Sequence, residues 1–161
     1  MKKIGFIGTG LMGFPMAKNI LKSGYKLKAF NRSSSKAKAL EEFGAEITMT
    51  LSELVKDSEI IITMLTDDDA IDEVMGSLNF LDNLKPGSIV IDMSSIKPIT
   101  AKKHEKNLSF KKIKYLDAPV SGGTIGAENG SLAIMIGGEK QVFKEVEDLL
   151  KTMGNPTLVG P

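Results

Sequence analysis

The chain has 161 residues, 42% of them hydrophobic and 25% charged, which suits one ordinary domain with a buried core and excludes a disordered chain. Its 21 basic and 20 acidic side chains leave a net charge of +1, so no overall field exists to hold nucleic acid or an anionic membrane surface, and any chemistry must be local. The sequence has no cysteine, which excludes disulfides, thiolate metal sites and a cysteine nucleophile; with no apolar run long enough for a secretion signal or a membrane span, a soluble, cytoplasmic protein is the expectation.

In chain order, Lys3–Gly8 reads as a strand, Met12–Lys22 as a helix, Lys26–Phe30 as a strand and Ser35–Phe43 as a helix, because short apolar runs alternate with segments of helical period. Ala45–Thr48 then reads as a strand, Ser52–Lys56 as a short helix, Ile60–Leu65 as a strand, and Asp69 to Leu84 as a helix broken near Gly76. Ser88–Asp92 is a strand, and Pro98 stands where a helix can begin without losing a hydrogen bond, predicting a helix to Leu108. Lys114–Leu116 and Leu132–Ile136 are strands, Glu139–Met153 is a helix and Thr157–Val159 a terminal strand. Strands and helices alternating in this way predict an α/β fold, a single doubly wound domain on a mostly parallel sheet covered on both faces.

Gly8-Thr9-Gly10-Leu11-Met12-Gly13 follows the first strand directly and opens the first helix, the context that a dinucleotide-binding turn requires. Gly8 permits the tight turn, Gly10 lets a pyrophosphate approach the backbone and Gly13 lets the helix pack on the strand, while the helix N-terminus offers free N–H groups to the anion. About 20 residues on, where an acidic residue would accept the ribose 2′-hydroxyl of NAD, the sequence has Asn31-Arg32-Ser33-Ser34. A neutral Asn31, a guanidinium at Arg32 and a hydroxyl at Ser33 favour a 2′-phosphate, and hence NADP (NADPH), with Lys36 as a further cation; the alternative is that Arg32 and Lys36 are solvated surface residues. Met12 and Met64 are the methionines expected near the cofactor.

Asp117-Ala118-Pro119-Val120-Ser121-Gly122-Gly123-Thr124 lies just beyond a strand's carboxyl end, the edge where open α/β sheets bind ligands. Its consecutive glycines and serine suit a carboxylate-holding concavity as well as they suit a plain glycine turn. His104, among Lys102, Lys103, Glu105 and Lys106, reads as an exposed residue of a polar helix. Asp67-Asp68-Asp69 do not converge on one centre and read as acidic residues complementing a helix N-terminus rather than as metal ligands.

Taken together, Gly5 through Ala17, Asn31-Arg32-Ser33, and Asp117 through Gly123 with Gly126-Ala127, Gly130-Ser131-Leu132 and Gly137-Gly138 resemble the β-hydroxyacid dehydrogenase family along the whole chain. The family includes 3-hydroxyisobutyrate dehydrogenase and tartronate semialdehyde reductase. The resemblance implies a Rossmann-type domain in which Gly8 to Gly13 and Asn31 to Ser33 hold NADP, Leu65 and Ser95 lie near its ribose and nicotinamide, and Ser121, Gly122 and Gly123 hold a small carboxylate substrate. It also implies a lysine-bearing helix and an all-helical second domain beyond this sequence. Lys140, Lys144 and Lys151 do not match that lysine, so no catalytic residue is assigned. The expectation is an isolated cofactor domain, monomeric or weakly oligomeric, that binds cofactor with little turnover. A non-catalytic dinucleotide-binding or interaction module, or a phosphogluconate dehydrogenase-like domain, is the alternative.

Overall fold

Four-residue strands rich in isoleucine make the middle of the sheet. In the computed structural model, which describes residues 2–161, β1 (Ile4–Ile7), β4 (Ile60–Thr63) and β5 (Ile89–Asp92) are buried at every position, as parallel strands covered on both faces must be. β2 (Leu27–Phe30) and β3 (Glu46–Ile47) extend one side and β6 (Lys114–Asp117) the other, giving the parallel order β3-β2-β1-β4-β5-β6. Strand order reverses between β1 and β4, and the crevice at that point is where such sheets take ligands. The register aligns Ile7, Thr63, Asp92 and Asp117, so the segments leaving these four strands share one edge.

The two faces have separate cores. Ile4, Phe6, Ile60, Ile62, Ile91 and Leu116 pack under α1 (Gly13–Lys22) and α8 (Lys140–Lys151). Ile7, Ile61, Val90 and Tyr115 pack on the opposite face, under α3 (Leu51–Lys56), α4 (Asp68–Met75), α5 (Leu78–Leu81) and α6 (Pro98–Ser109). The helix expected over Ser35–Phe43 is divided: α2 (Ser34–Lys38) gives way to a 3-10 turn at Ala39–Phe43, ended by Gly44 in the left-handed region. The break near Gly76 separates α4 from α5, where Ser77 caps the new helix by accepting from the Asn79 N–H. Pro98 stands in the first turn of α6.

Beyond β6 the chain departs from simple alternation. β7 (Val120–Ser121) and α7 (Gly123–Asn129) occupy the segment read as a glycine loop, and β8 (Leu132–Gly137) runs antiparallel to both β6 and β7. β9 (Gly154–Gly160), longer than the expected Thr157–Val159, pairs parallel with β8. Met135 of β8 and Val159 of β9 are exposed large apolar side chains. None of the described helices is long and apolar enough to cross a membrane.

Candidate functional site

The turn from β1 into α1 is built by glycines that carry out different tasks. Gly8 sits at φ 101° with its backbone against Met64, so a Cβ there would run into the Met64 carbonyl. A Cβ on Gly13 would collide with the Gly8 carbonyl oxygen, which is the close helix-to-strand packing expected of the third glycine. Gly10 is different. Nothing of the protein lies within 4 Å of where its Cβ would be, so its missing side chain leaves open space rather than relieving a clash. No side chain caps the start of α1 and no acidic residue stands in its first turn; the Phe14 N–H donates to the Gly10 carbonyl at 3.0 Å and Pro15 has no N–H, so what the helix start offers an anion is its partial positive charge and the N–H groups ahead of Phe14. That open cradle fits the diphosphate of a dinucleotide.

Asn31 ties this turn to the end of β2. Its Oδ1 accepts from the Thr9 N–H at 2.9 Å, its Nδ2 donates to the Ser33 carbonyl at 3.0 Å, and the Gly8 N–H donates to the Phe30 carbonyl at 2.9 Å. Arg32 reaches across to α4, where it pairs with Glu73. Asn31, Arg32, Leu65, Glu73 and Val74 help to line a cavity of about 300 Å³ between the β2 end and α4. Ser33 precedes α2 and its hydroxyl lies 3.0 Å from that of Ser35. Lys36 is exposed and faces a different space, a groove of about 620 Å³ bordered by Thr9, Gly10, Leu11, Phe14 and Lys18. Thus Arg32 and Lys36, grouped by sequence, stand on separate cavities. Met12 and Met64 are half-buried and pack against the larger core.

Across the crevice, the Leu65 N–H donates to Ser94 Oγ at 2.8 Å, and Ser94 is fully buried while Ser95 beside it is exposed. Ser94, rather than Ser95, therefore fixes the Leu65 backbone. Ser121, Gly122 and Gly123 are exposed, with Gly122 at φ 137° and Gly123 at φ 61°; both conformations are open to glycine and rare for other residues. The short helix they start is tethered to the cofactor side by Asn19 of α1, whose Nδ2 donates to the Ala127 carbonyl at 2.8 Å. Asn19 escaped the sequence reading because a lone asparagine in a helix has no motif.

His104 is a correction. It is 3% exposed, in line with Thr100, Ala101 and Leu108 on the buried side of α6, and its Nε2 lies 2.7 Å from Asp72 Oδ1. The surrounding lysines hid a buried stripe at spacings of three and four. The Asp67-Asp68-Asp69 run divides its work: Asp67 caps α4 by accepting from the Ala70 N–H, and Asp68 accepts from the Lys97 N–H and the Thr100 hydroxyl. These hydrogen bonds, led by that from Thr100, hold the Asp68 carboxyl below its ordinary value.

Known proteins share this architecture. The chain is 40% identical over 160 residues to 2-hydroxy-3-oxopropionate reductase of Escherichia coli, covering 98% of this chain and 54% of that protein. A solved structure of Mycobacterium tuberculosis 3-hydroxyisobutyrate dehydrogenase with L-serine superposes with a TM-score of 0.95 at 28% identity, over 99% of this chain and 55% of that one. An imine reductase of Myxococcus stipitatus in complex with NADP+ gives a TM-score of 0.90 at 26% identity, over 98% and 55% of the two chains. This chain therefore spans about half the length of the relatives it matches. The resemblance to hydroxyacid dehydrogenases read from the motifs holds in both sequence and fold. Residues 3–160 match the family described as the NAD binding domain of 6-phosphogluconate dehydrogenase, and the chain belongs to that family of nicotinamide-dinucleotide-binding domains.

Proposed function

We propose that this chain is the cofactor domain of an oxidoreductase that moves a hydride between NADP(H) and a small 3-hydroxy acid or the corresponding semialdehyde. The observation that carries the cofactor choice is the end of β2: neutral Asn31 bridging Thr9 and Ser33, with Arg32 next to it on the wall of the smaller cavity. An NAD-type acidic residue at this place would repel a 2′-phosphate, whereas a guanidinium binds one by charge-assisted hydrogen bonds. When bound, the nicotinamide supplies the hydride chemistry.

The remaining roles belong to the chain. Gly8 to Gly13 and the start of α1 bind the diphosphate; Asn31, Arg32 and Ser33 bind the 2′-phosphate end, with Lys36 a cation at its periphery. Met12, Met64, Leu65 and Ser95 border the ribose and nicotinamide, and Ser121, Gly122 and Gly123 orient the substrate carboxylate. We assign the general acid/base to the half of the relatives that this chain does not span, with the exposed Met135 and Val159 available to a second domain. On this reading the 161-residue chain binds cofactor with little turnover, because losing a general acid/base alone costs about 10²–10⁴-fold.

Calorimetric titration of NADPH and NADH into the folded chain tests the reading. The expected result is NADPH affinity at least about tenfold tighter, the range of one or two charge-assisted hydrogen bonds. Equal or tighter binding of NADH would overturn the NADP assignment, and heat from neither would overturn the function.

A further inference from the structure

Thr63, Asp92 and Asp117 occupy one register line across β4, β5 and β6, at the carboxyl edge that carries the candidate site. Register partners on parallel strands lie about 4.8 Å apart and point to the same face. Two aspartates therefore stand side by side on the face covered by α4 and α6. Asp92 has no solvent exposure; its Oδ1 accepts from Thr63 Oγ1 at 2.9 Å and from the Ser94 N–H at 3.0 Å. Its Oδ2 has no hydrogen-bond partner, and neither has Asp117 Oδ1 nor the buried Tyr115 hydroxyl, two residues before Asp117 on the same face of β6. Buried polar atoms are almost always paired, and carboxylates side by side, here one fully buried at Asp92 and one half-buried at Asp117, do not both ionise readily.

We propose that Asp92 and Asp117 hold one proton between them, one as carboxylic acid and the other as carboxylate, and that this pair braces the sheet edge carrying Ser94, Ser95 and the Pro119–Gly123 loop. Two ionised carboxylates would bring acceptors only. Protonating one supplies the missing donor. Burial pushes the Asp117 carboxyl up to about 6, with the charges of Asp92 and Glu105 adding to the effect. Burial likewise raises Asp92, against hydrogen bonds from Ser94 and Thr63 that lower it. The Tyr115 phenol is pushed up by burial and then by the charges of Asp92, Asp117 and Glu105, and so stays a donor.

The groups facing the pair come from each covering element. β6 contributes Tyr115, and α6 contributes Glu105 and His104, the last bonded in turn to Asp72 of α4, which also pairs with Lys103. β4 contributes the Thr63 hydroxyl. Among the described residues no ion pair reaches Asp92 or Asp117, so no cation replaces the proton.

Asp92 is also the knot of the edge. It holds the Ser94 N–H through Oδ1, Ser94 Oγ holds the Leu65 N–H, and the Asp92 carbonyl accepts from the Ala118 N–H at 2.7 Å. The exits of β4, β5 and β6 thus meet at one residue whose neighbour is Asp117. This positioning role rests on the cofactor reading above; the shared proton does not.

The test is a carbon-13 carboxyl NMR titration of the aspartate-labelled 161-residue chain, with thermal melts and NADPH titrations of the same chain and of Asp117→Asn. One aspartate step is expected about two units above the ordinary range near 4, and it vanishes in Asp117→Asn. A carboxyl raised in the folded state stabilises it below that step and ceases to as pH rises through it. The wild-type Tm therefore falls on the alkaline side of the step, whereas Asp117→Asn, neutral and still able to donate, loses that slope. NADPH affinity of the wild type weakens about threefold or more between about pH 5 and 8, across the step, and that of Asp117→Asn weakens less.

Both carboxyls titrating below about pH 4.5 overturn the proposal whether or not the variant folds. So does a variant with the wild-type Tm slope. A raised carboxyl step in a chain that binds no NADPH supports the shared proton and overturns the cofactor reading. A raised step with identical NADPH profiles in both proteins overturns the bracing role.

Discussion

Arg32, at the end of β2, and Glu73, on α4, meet as an ion pair on the wall of the smaller cavity. Both side chains are largely exposed, at 82% and 64%, so the pair itself adds little to stability. Its consequence is for binding, because the carboxylate occupies the guanidinium that a 2′-phosphate would use. Competition between the Glu73 carboxylate and a phosphate for Arg32 predicts opposite effects of substituting the two partners. Arg32→Ala weakens NADPH by about ten- to a hundredfold, the value of hydrogen bonds to a charged group, and leaves NADH within about threefold. Glu73→Gln tightens NADPH by up to about fivefold, the scale of a competing surface pair, with NADH unchanged. Calorimetry of four protein–cofactor combinations reads both, and a Glu73→Gln that weakens NADPH would show that Glu73 orients Arg32 instead of competing for it.

The glycine turn predicts a clean separation of folding from binding. Gly10→Ala meets nothing within 4 Å, so its melting temperature stays at the wild-type value while the new methyl group fills the cradle and abolishes cofactor binding. Gly13→Ala must displace the Gly8 backbone carbonyl, so it lowers stability before any ligand is added, by about 1–3 kcal/mol for overpacking. Denaturant melts beside cofactor titrations check the pair. Equal destabilisation by both alanines would contradict the assignment.

Asn31 carries a second division. Its carbonyl and amide ends bridge Thr9 and Ser33. Asn31→Asp keeps the acceptor for the Thr9 N–H, loses the donor to Ser33 and places a negative charge beside the phosphate position. The expected outcome is a preference moved towards NADH, by about tenfold in the ratio of affinities. Asn31→Ala removes both bonds and costs about 1–2 kcal/mol of stability without that shift. Cofactor competition and melting of the two variants distinguish charge from bridging.

How much of this was legible in the sequence depends on what each residue needed to be recognised. The Ile60-Ile61-Ile62 and Ile89-Val90-Ile91 runs announce doubly covered strands because burial on both faces demands continuous apolar side chains. The turn from Gly8 to Gly13 was legible for the same local reason: strand, glycines and helix lie in one stretch of chain. α7 was not, since Gly123, Gly126 and Gly130 give poor helix propensity and no periodic stripe; it exists because Gly126 lets the helix lie against Leu132. The partners Arg32 and Glu73, and Asp92 and Asp117, are 41 and 25 positions apart, and only the folded register brings them together. His104 failed for another reason, a charged neighbourhood outvoting the buried Thr100 and Ala101 before it and Leu108 after it.

That buried histidine leads to the last prediction, which concerns acid rather than base. The hydrogen bond from Lys103, then that from His104, holds the Asp72 carboxyl below its ordinary value, with burial opposing them. A carboxyl lowered in the folded state favours folding above its unfolded value near 4 and ceases to as pH falls through its folded value. Asp72→Asn is therefore less stable than the wild type at pH 7 and converges with it as the solution is acidified through the lowered value of the folded state. His104→Ala loses more at pH 7, by about 2–3 kcal/mol, because it opens a cavity on the buried side of α6 that carries Thr100, Ala101 and Leu108, in addition to removing a bond to Asp72. His104→Gln fills most of that space and keeps a donor for Asp72, so it recovers more than half of the loss. Urea melts of the three variants at pH 7 and at low pH measure the differences, and an Asp72→Asn deficit that stays constant on acidification would show that the carboxylate charge is not what α4 and α6 share.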